Sequence, residues 1–187
     1  MNGRLQVGDS FLLMAALAGF LDESGLAPLF FAAAALHEVG HALAVCACGG
    51  TVVVLRLTAL GGVLRYRLPG LSMLSDVCIA AAGPLAGIGI AWLAAGLGWY
   101  RFAGANLILS MLNLLPVRPL DGGQMVSALL HEGRAQIAIE TVCCLLLGLL
   151  AGVVLRCSGG CSLLLFWGAL TVNLQKNLQK SHAGYKI

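Results

Sequence analysis

The sequence predicts an all-α polytopic membrane protein: about six transmembrane or re-entrant helices around a catalytic core, with one small β-hairpin on the cytoplasmic side. Three observations predict it. Charged residues make up 10% of the 187 residues and hydrophobic ones 59%, whereas ordinary soluble domains carry roughly a quarter charged residues. Mean hydropathy is +0.92. The apolar residues gather in six segments, about 11–21, 26–48, 76–99, 102–115, 135–155 and 160–174. These features exclude the disordered, collagenous and conventional soluble classes. The net charge of +3 is scattered along the chain, so it builds no patch for nucleic acid. The expected surroundings are a lipid bilayer.

The first segment, Phe11 to Leu21, is too short to cross a hydrocarbon core of roughly 30 Å and reads as re-entrant or interfacial. Ala16-Leu17-Ala18 has the small residues of a cleavage site, but the apolar run before it is too short for a signal peptide. The second, third and fifth segments are long enough to cross. The fourth and sixth are short, and the fourth gains length only if it continues past Pro116. Between the second and third lies a different pattern. Thr51-Val52-Val53-Val54-Leu55-Arg56-Leu57 is β-branched, Gly61-Gly62 follows, and Val63 to Leu68 is again strand-like. Two such runs around a Gly-Gly turn predict a β-hairpin.

Basic residues fix an orientation. When the loops are assigned alternately to two sides, the N-terminal side holds Arg4, Arg56, Arg65, Arg67, Arg118, Arg134, Lys176, Lys180 and Lys186, and the other side only Arg101 and Arg156. The positive-inside rule places the richer side in the cytoplasm of a cell membrane. The tail Lys176 to Lys186 reads as a solvated, headgroup-facing end. Seven cysteines, an odd number, exclude a complete disulfide framework. Cys46, Cys48, Cys78, Cys143 and Cys144 lie in apolar stretches and read as small buried hydrophobes. Cys157 and Cys161 flank a Gly-rich turn, a spacing a disulfide can bridge in an oxidising compartment.

The second segment contains His37-Glu38-Val39-Gly40-His41. Helix positions i and i+4 share a face, so both imidazoles can reach one metal ion. Glu38 stands beside them, where it can deprotonate an attacking water. Three ionisable side chains are costly in an apolar span, and metal binding offsets that cost. Catalytic zinc takes three protein ligands and keeps one position open. The third ligand must come from elsewhere, and the candidates are Asp76, Asp121, Glu132, Glu140 and His131. Asp121 stands out by its setting, Asn113-Leu114-Leu115-Pro116-Val117-Arg118-Pro119-Leu120-Asp121-Gly122-Gly123. Two prolines break the fourth segment, and irregular backbone at membrane depth occurs only where protein or a wet cavity satisfies it. Such a break can turn Asp121 inward, and Gly122-Gly123 lets the chain pass close to the metal. Glu140 reads as facing a wet cleft or pairing with Arg134, and His131 as a surface residue.

HEVGH within an apolar span followed by NLLPVRPLDGG resembles the site-2 protease family of intramembrane zinc metalloproteases. The resemblance covers about residues 26–135, the three-helix catalytic core, in a single membrane-embedded domain of 1–187 without room for PDZ or CBS domains. It is most similar to short members of the sporulation factor IV B type. Residue by residue it implies His37, His41 and Asp121 as ligands of one Zn2+ per chain, Glu38 as general base, and Asn113 as a group that positions substrate or polarises its scissile carbonyl. Ala81-Ala82-Gly83-Pro84-Leu85-Ala86-Gly87 resembles the family's G-P-x-x-N element, with Gly87 where Asn is common. Gly83 and Gly87 also form a GxxxG pattern, which reads more simply as close helix packing. The implied activity is hydrolysis of a peptide bond in or near a transmembrane segment of a membrane-protein substrate, of the kind that tethers a transcriptional regulator. The active site, by the depth of His41 in the second segment, opens toward the cytoplasm. The hairpin is expected to hold extended substrate by strand addition along Val52 to Leu57. The rival reading is a non-catalytic membrane zinc-binding, transport or assembly protein, which needs the two histidines and Asp121 but not Glu38.

Overall fold

The computed structural model describes residues 4–58, 61–70, 72–130, 134–158, 164 and 166–175. They form two compact units divided after Asn113.

The first unit runs β1 (Arg4–Val7), α1 (Asp9–Leu21), α2 (Ala27–Ala47), β2 (Thr51–Thr58), β3 (Gly61–Arg67), α3 (Met73–Gly96) and α4 (Tyr100–Asn113). Helices α2, α3 and α4 pack on one another pairwise. Apart from Val45 and Ile79, the buried side chains of these helices are small or polar. On α3 the buried stripe is Ile79, Ala80, Gly83, Pro84, Gly87, Ala91 and Ala94, which recurs every three or four residues and so stays on one face. Large apolar side chains point outward instead, as do Leu85, Leu93 and Trp92, the last 78% exposed. A water-soluble bundle does the reverse. In lipid a Leu gains nothing by moving inside, whereas Gly and Ala let two backbones approach. Helices α2 and α3 are long and apolar enough to cross a bilayer. The 13-residue α1 is not, and none of its residues is buried.

Helix α2 starts where Asp22 supplies acceptors for its first amides. The Asp22 carboxylate accepts the N–H of Ala27 at 2.7 Å and of Leu26 at 3.0 Å, and both the N–H and the hydroxyl of Ser24. These bonds, that from Ala27 foremost, lower its pKa from 3.8 to about 2. Because the folded value lies below the unfolded one, the cap contributes fully above pH 3.8 and is lost as the pH falls through 2. Asp22→Ala is therefore expected to speed amide exchange at Leu26 and Ala27 at neutral pH. Its difference from the unmodified chain should vanish near pH 2.

The strands form a three-stranded sheet in the order β1-β2-β3, rather than the hairpin alone that the sequence predicts. β1 pairs in parallel with β2, Arg4 opposite Val54 and Val7 opposite Leu57. β2 pairs antiparallel with β3, with a bulge between Val52 and Val54. Two expectations change. Gly61-Gly62 opens β3 instead of forming the turn, with Gly61 at φ +120°, a conformation that only glycine adopts without strain. β2 is the central strand, so from Val54 to Leu57 it has both edges occupied and cannot take up substrate there. β3 has no neighbour on its other side among the described residues.

The second unit contains α5 (Asp121–Leu130), α6 (Arg134–Ser158) and a last helical stretch, 166–175. Residues 135–157 of α6 are long and apolar enough to cross a bilayer. Val117, Leu120, Cys144, Leu147, Leu170 and Leu174 form its core. Gly148 leaves room for the Trp167 ring, whose Nε1 donates to the Cys144 carbonyl at 2.8 Å. Helix α5 lies outside the six apolar segments picked out in the sequence. Of the five cysteines expected to be buried, only Cys144 is; Cys46 and Cys78 are exposed on apolar helices, and Cys48 and Cys143 are half-buried. In a helix that faces lipid, an exposed thiol is still in an apolar medium. Cys157 is a free thiol, and Cys161 lies outside the described residues. So do His131, Glu132 and the tail Lys176 to Lys186.

Candidate metal centre

The HEVGH segment lies in the middle of α2, with His37, Gly40 and His41 buried. Gly40 is what allows this face to meet α3. A Cβ there would come within 2.8 Å of the Ala86 Cβ and 2.9 Å of the Ala82 carbonyl oxygen. The close approach brings the Ile79 carbonyl of α3 to His41, whose Nδ1 donates to it at 2.7 Å. That bond fixes the tautomer and leaves the Nε2 lone pair for a metal. The His37 and His41 Nε2 atoms face each other at 3.1 Å. Two nitrogens about 2.0–2.1 Å from one tetrahedral zinc would stand only slightly farther apart than this.

Gly83 borders the same space. A Cβ added to it would run into the His41 Nε2 and stand 2.7 Å from the His37 Nε2. Its hydrogen therefore keeps open the volume into which both lone pairs point. The GxxxG pattern accordingly has two different tasks. Gly87 admits the Ser110 side chain of α4, whose hydroxyl a Cβ would strike, and that is packing. Gly83 shields nothing but the imidazole edges.

Glu38, half-buried, is next in the chain to His37. Its carboxylate lies against the β3 backbone at Gly62, where a Cβ would fall 2.5 Å from Oε1 and 2.7 Å from Oε2. A glycine at this strand position is thus a requirement of the carboxylate beside it, a role the sequence reading assigned to turn formation. Asn113 is half-buried at the end of α4 and donates one amide hydrogen to the Leu109 carbonyl at 3.0 Å. The second hydrogen and the Oδ1 acceptor face no partner from within its own helix turn.

In the second unit Asp121 opens α5 and is buried. A carboxylate in the first turn sits at the positive end of the helix dipole, which favours its ionised, ligating form. Gly122 and Gly123 are buried behind it. A Cβ on Gly122 would strike the Leu114 backbone and one on Gly123 the Val117–Arg118 backbone. The two glycines therefore let the chain fold onto its own loop 114–118. His37 and His41 of the first unit and Asp121 of the second are each buried. Two imidazoles and a carboxylate are the donor set of a catalytic zinc. Of the other ligand candidates, Glu140 forms an ion pair with Arg118.

Comparison with known proteins agrees with the residue pattern. Residues 96–153 match the model of peptidase family M50. The chain is 30% identical over 131 residues to Rip3 of Mycobacterium tuberculosis, named as a zinc metalloprotease, in the strains Erdman and H37Rv. That match covers 62% of this chain, which spans about one third, 33%, of the length of those relatives. The site-2 protease from Methanocaldococcus jannaschii has the same fold, with a TM-score of 0.66 at 22% identity, covering 95% of this chain and 91% of that one. The relationship read from HEVGH and the LDG element is the one these comparisons return. With three helices of spanning length and composition, the chain is an integral membrane protein.

Proposed function

We propose that this chain is an intramembrane zinc metalloprotease that hydrolyses a peptide bond in or near a transmembrane segment of a membrane-tethered protein. The observation that carries the reading is the convergence of the His37 and His41 Nε2 atoms beside Gly83, with Glu38 adjoining them. In this reading His37, His41 and Asp121 hold one zinc, which when bound would acidify water and polarise the scissile carbonyl. Glu38 takes the proton of the attacking water as the new C–O bond forms. It delivers that proton to the amine nitrogen as the C–N bond breaks. The Asn113 amide hydrogen left over from Leu109 donates to the oxyanion. Residues 1–187 act as one metalloprotease domain with its catalytic core at about 26–135.

A helical substrate must unwind first, because its carbonyls are engaged in i→i+4 bonds. The open edge of β3 offers backbone donors and acceptors to the unwound strand. The bias of basic residues supports a multi-pass arrangement in the cytoplasmic membrane with the site open to the cytoplasm. The resemblance supports a membrane-tethered transcriptional regulator as the substrate. The test is cleavage in liposomes of one sequence presented both as a membrane-anchored segment and as a soluble peptide. The anchored form should be cut much faster, with activity lost to a zinc chelator and restored by zinc. Equal rates for the two forms, or indifference to chelation, would sink the reading.

A further inference from the structure

Glu140 lies in the second turn of α6, inside its apolar stretch 135–157, and has no exposed surface. Charge at such a depth persists only where something compensates it. Arg118 does so: its Nε donates to Glu140 Oε1 at 2.7 Å. Gln136, one turn earlier on α6 and also buried, donates its Nε2 to the same oxygen at 3.0 Å. The other end of Arg118 is held as well, since Asn173 donates its Nδ2 to the Arg118 carbonyl at 2.7 Å. Arg118 stands three residues before Asp121, in the loop whose Val117 is fully buried among Cys144, Leu147, Leu170 and Leu174. The same loop receives Gly122 and Gly123. A loop interrupted by two prolines has few amides with which to brace itself. Here it is braced at both the side chain and the backbone of one arginine, by α6 and by the stretch 166–175.

We propose that Glu140 is a positioning residue for Asp121. Through Arg118 it fixes the 114–120 loop, and with it the direction in which the first turn of α5 presents its carboxylate. Gln136 orients Glu140, and Asn173 secures the loop backbone. A residue outside the three-helix core thus sets the geometry of a ligand supplied by the LDG element. The inference rests on Asp121 being a ligand.

The experiment measures metal affinity by competition with a chromophoric chelator, and the visible spectrum of the Co2+-loaded protein, in detergent-solubilised full chain. Partners that orient a metal ligand typically contribute about 10- to 100-fold to affinity. Glu140→Ala and Arg118→Ala should each lose about that much, and the double variant no more than the worse single one, since both break one link. Glu140→Gln keeps an acceptor for Arg118 and should shift the Co2+ bands with a smaller loss. Ala151→Gly, fully buried on α6 but outside the cluster that holds Val117, should lower the melting temperature and leave the Co2+ spectrum unchanged. If Glu140→Ala fails to fold, Glu140→Gln and Asn173→Ala are read on the same terms. Unchanged affinity and spectrum in folded Glu140 and Asn173 variants, while Asp121→Ala loses metal, would overturn the positioning role alone. Unchanged affinity in Asp121→Ala would overturn the ligand assignment beneath it.

Discussion

Glu38→Gln is expected to abolish proteolysis and leave one zinc per chain. The substitution replaces a proton acceptor by an amide of the same shape. Shape matters here because the Glu38 carboxylate occupies the room that the missing Gly62 side chain leaves beside β3, and Gln fits that room. A group that moves a proton in the transition state contributes about 10²–10⁴-fold. The loss should therefore appear in kcat, with KM nearly unchanged, because Glu38 is asked to act on the reacting atoms and not to bind substrate. The readouts are cleavage of an anchored substrate and zinc stoichiometry in the same preparation. Retained proteolysis would remove Glu38 from the mechanism and favour a zinc-binding protein without catalysis.

Gly83→Ala is the second large effect, and its sign is informative. At an exposed position inside a helix, Gly→Ala stabilises by roughly 1 kcal/mol through backbone entropy and propensity. At Gly83 the added methyl enters the volume in front of both Nε2 atoms. Neither ring can retreat cheaply. His41 is tied to the Ile79 carbonyl of α3 itself, and Gly40 already brings α2 against Ala82 and Ala86. Gly83→Ala should lose zinc binding and activity together, with the fold retained at a cost of about 1–3 kcal/mol for overpacking. Gly89, on the same helix with nothing within 4 Å of an added Cβ, is the control: Gly89→Ala should bind zinc normally. Equal zinc affinity in the two variants would show that the space beside Gly83 is not where the metal sits.

The parts of this protein that were legible in its sequence are those written in local pattern. The i, i+4 spacing of His37 and His41 needs only a helix, and an apolar run of spanning length supplies one. The small-residue stripe of α3 follows in the same way. What escaped depends on partners far away in the chain. Arg4 to Val7 is too short to read as a strand and becomes one because β2 offers it an edge. That pairing is what closes the β2 edge to substrate. Gly122-Gly123 hid α5, since glycine is a poor helix former, and its one start signal was the acidic first residue, Asp121. Arg118 reaches Glu140 from a loop 22 residues earlier, a pairing that no local spacing in the sequence suggests. Gly62 and Gly83 carry the least signal of all, because a missing side chain acquires meaning only from the Glu38 and imidazole atoms that fill its place.

The most direct test is anomalous scattering at the zinc absorption edge from crystals of the zinc-loaded protein. The account predicts one peak per chain, about 2.0–2.2 Å from His37 Nε2, His41 Nε2 and a carboxylate oxygen of Asp121, with one coordination position left to solvent. A single peak held by both histidines but completed by another residue, or a peak remote from α2, would contradict it.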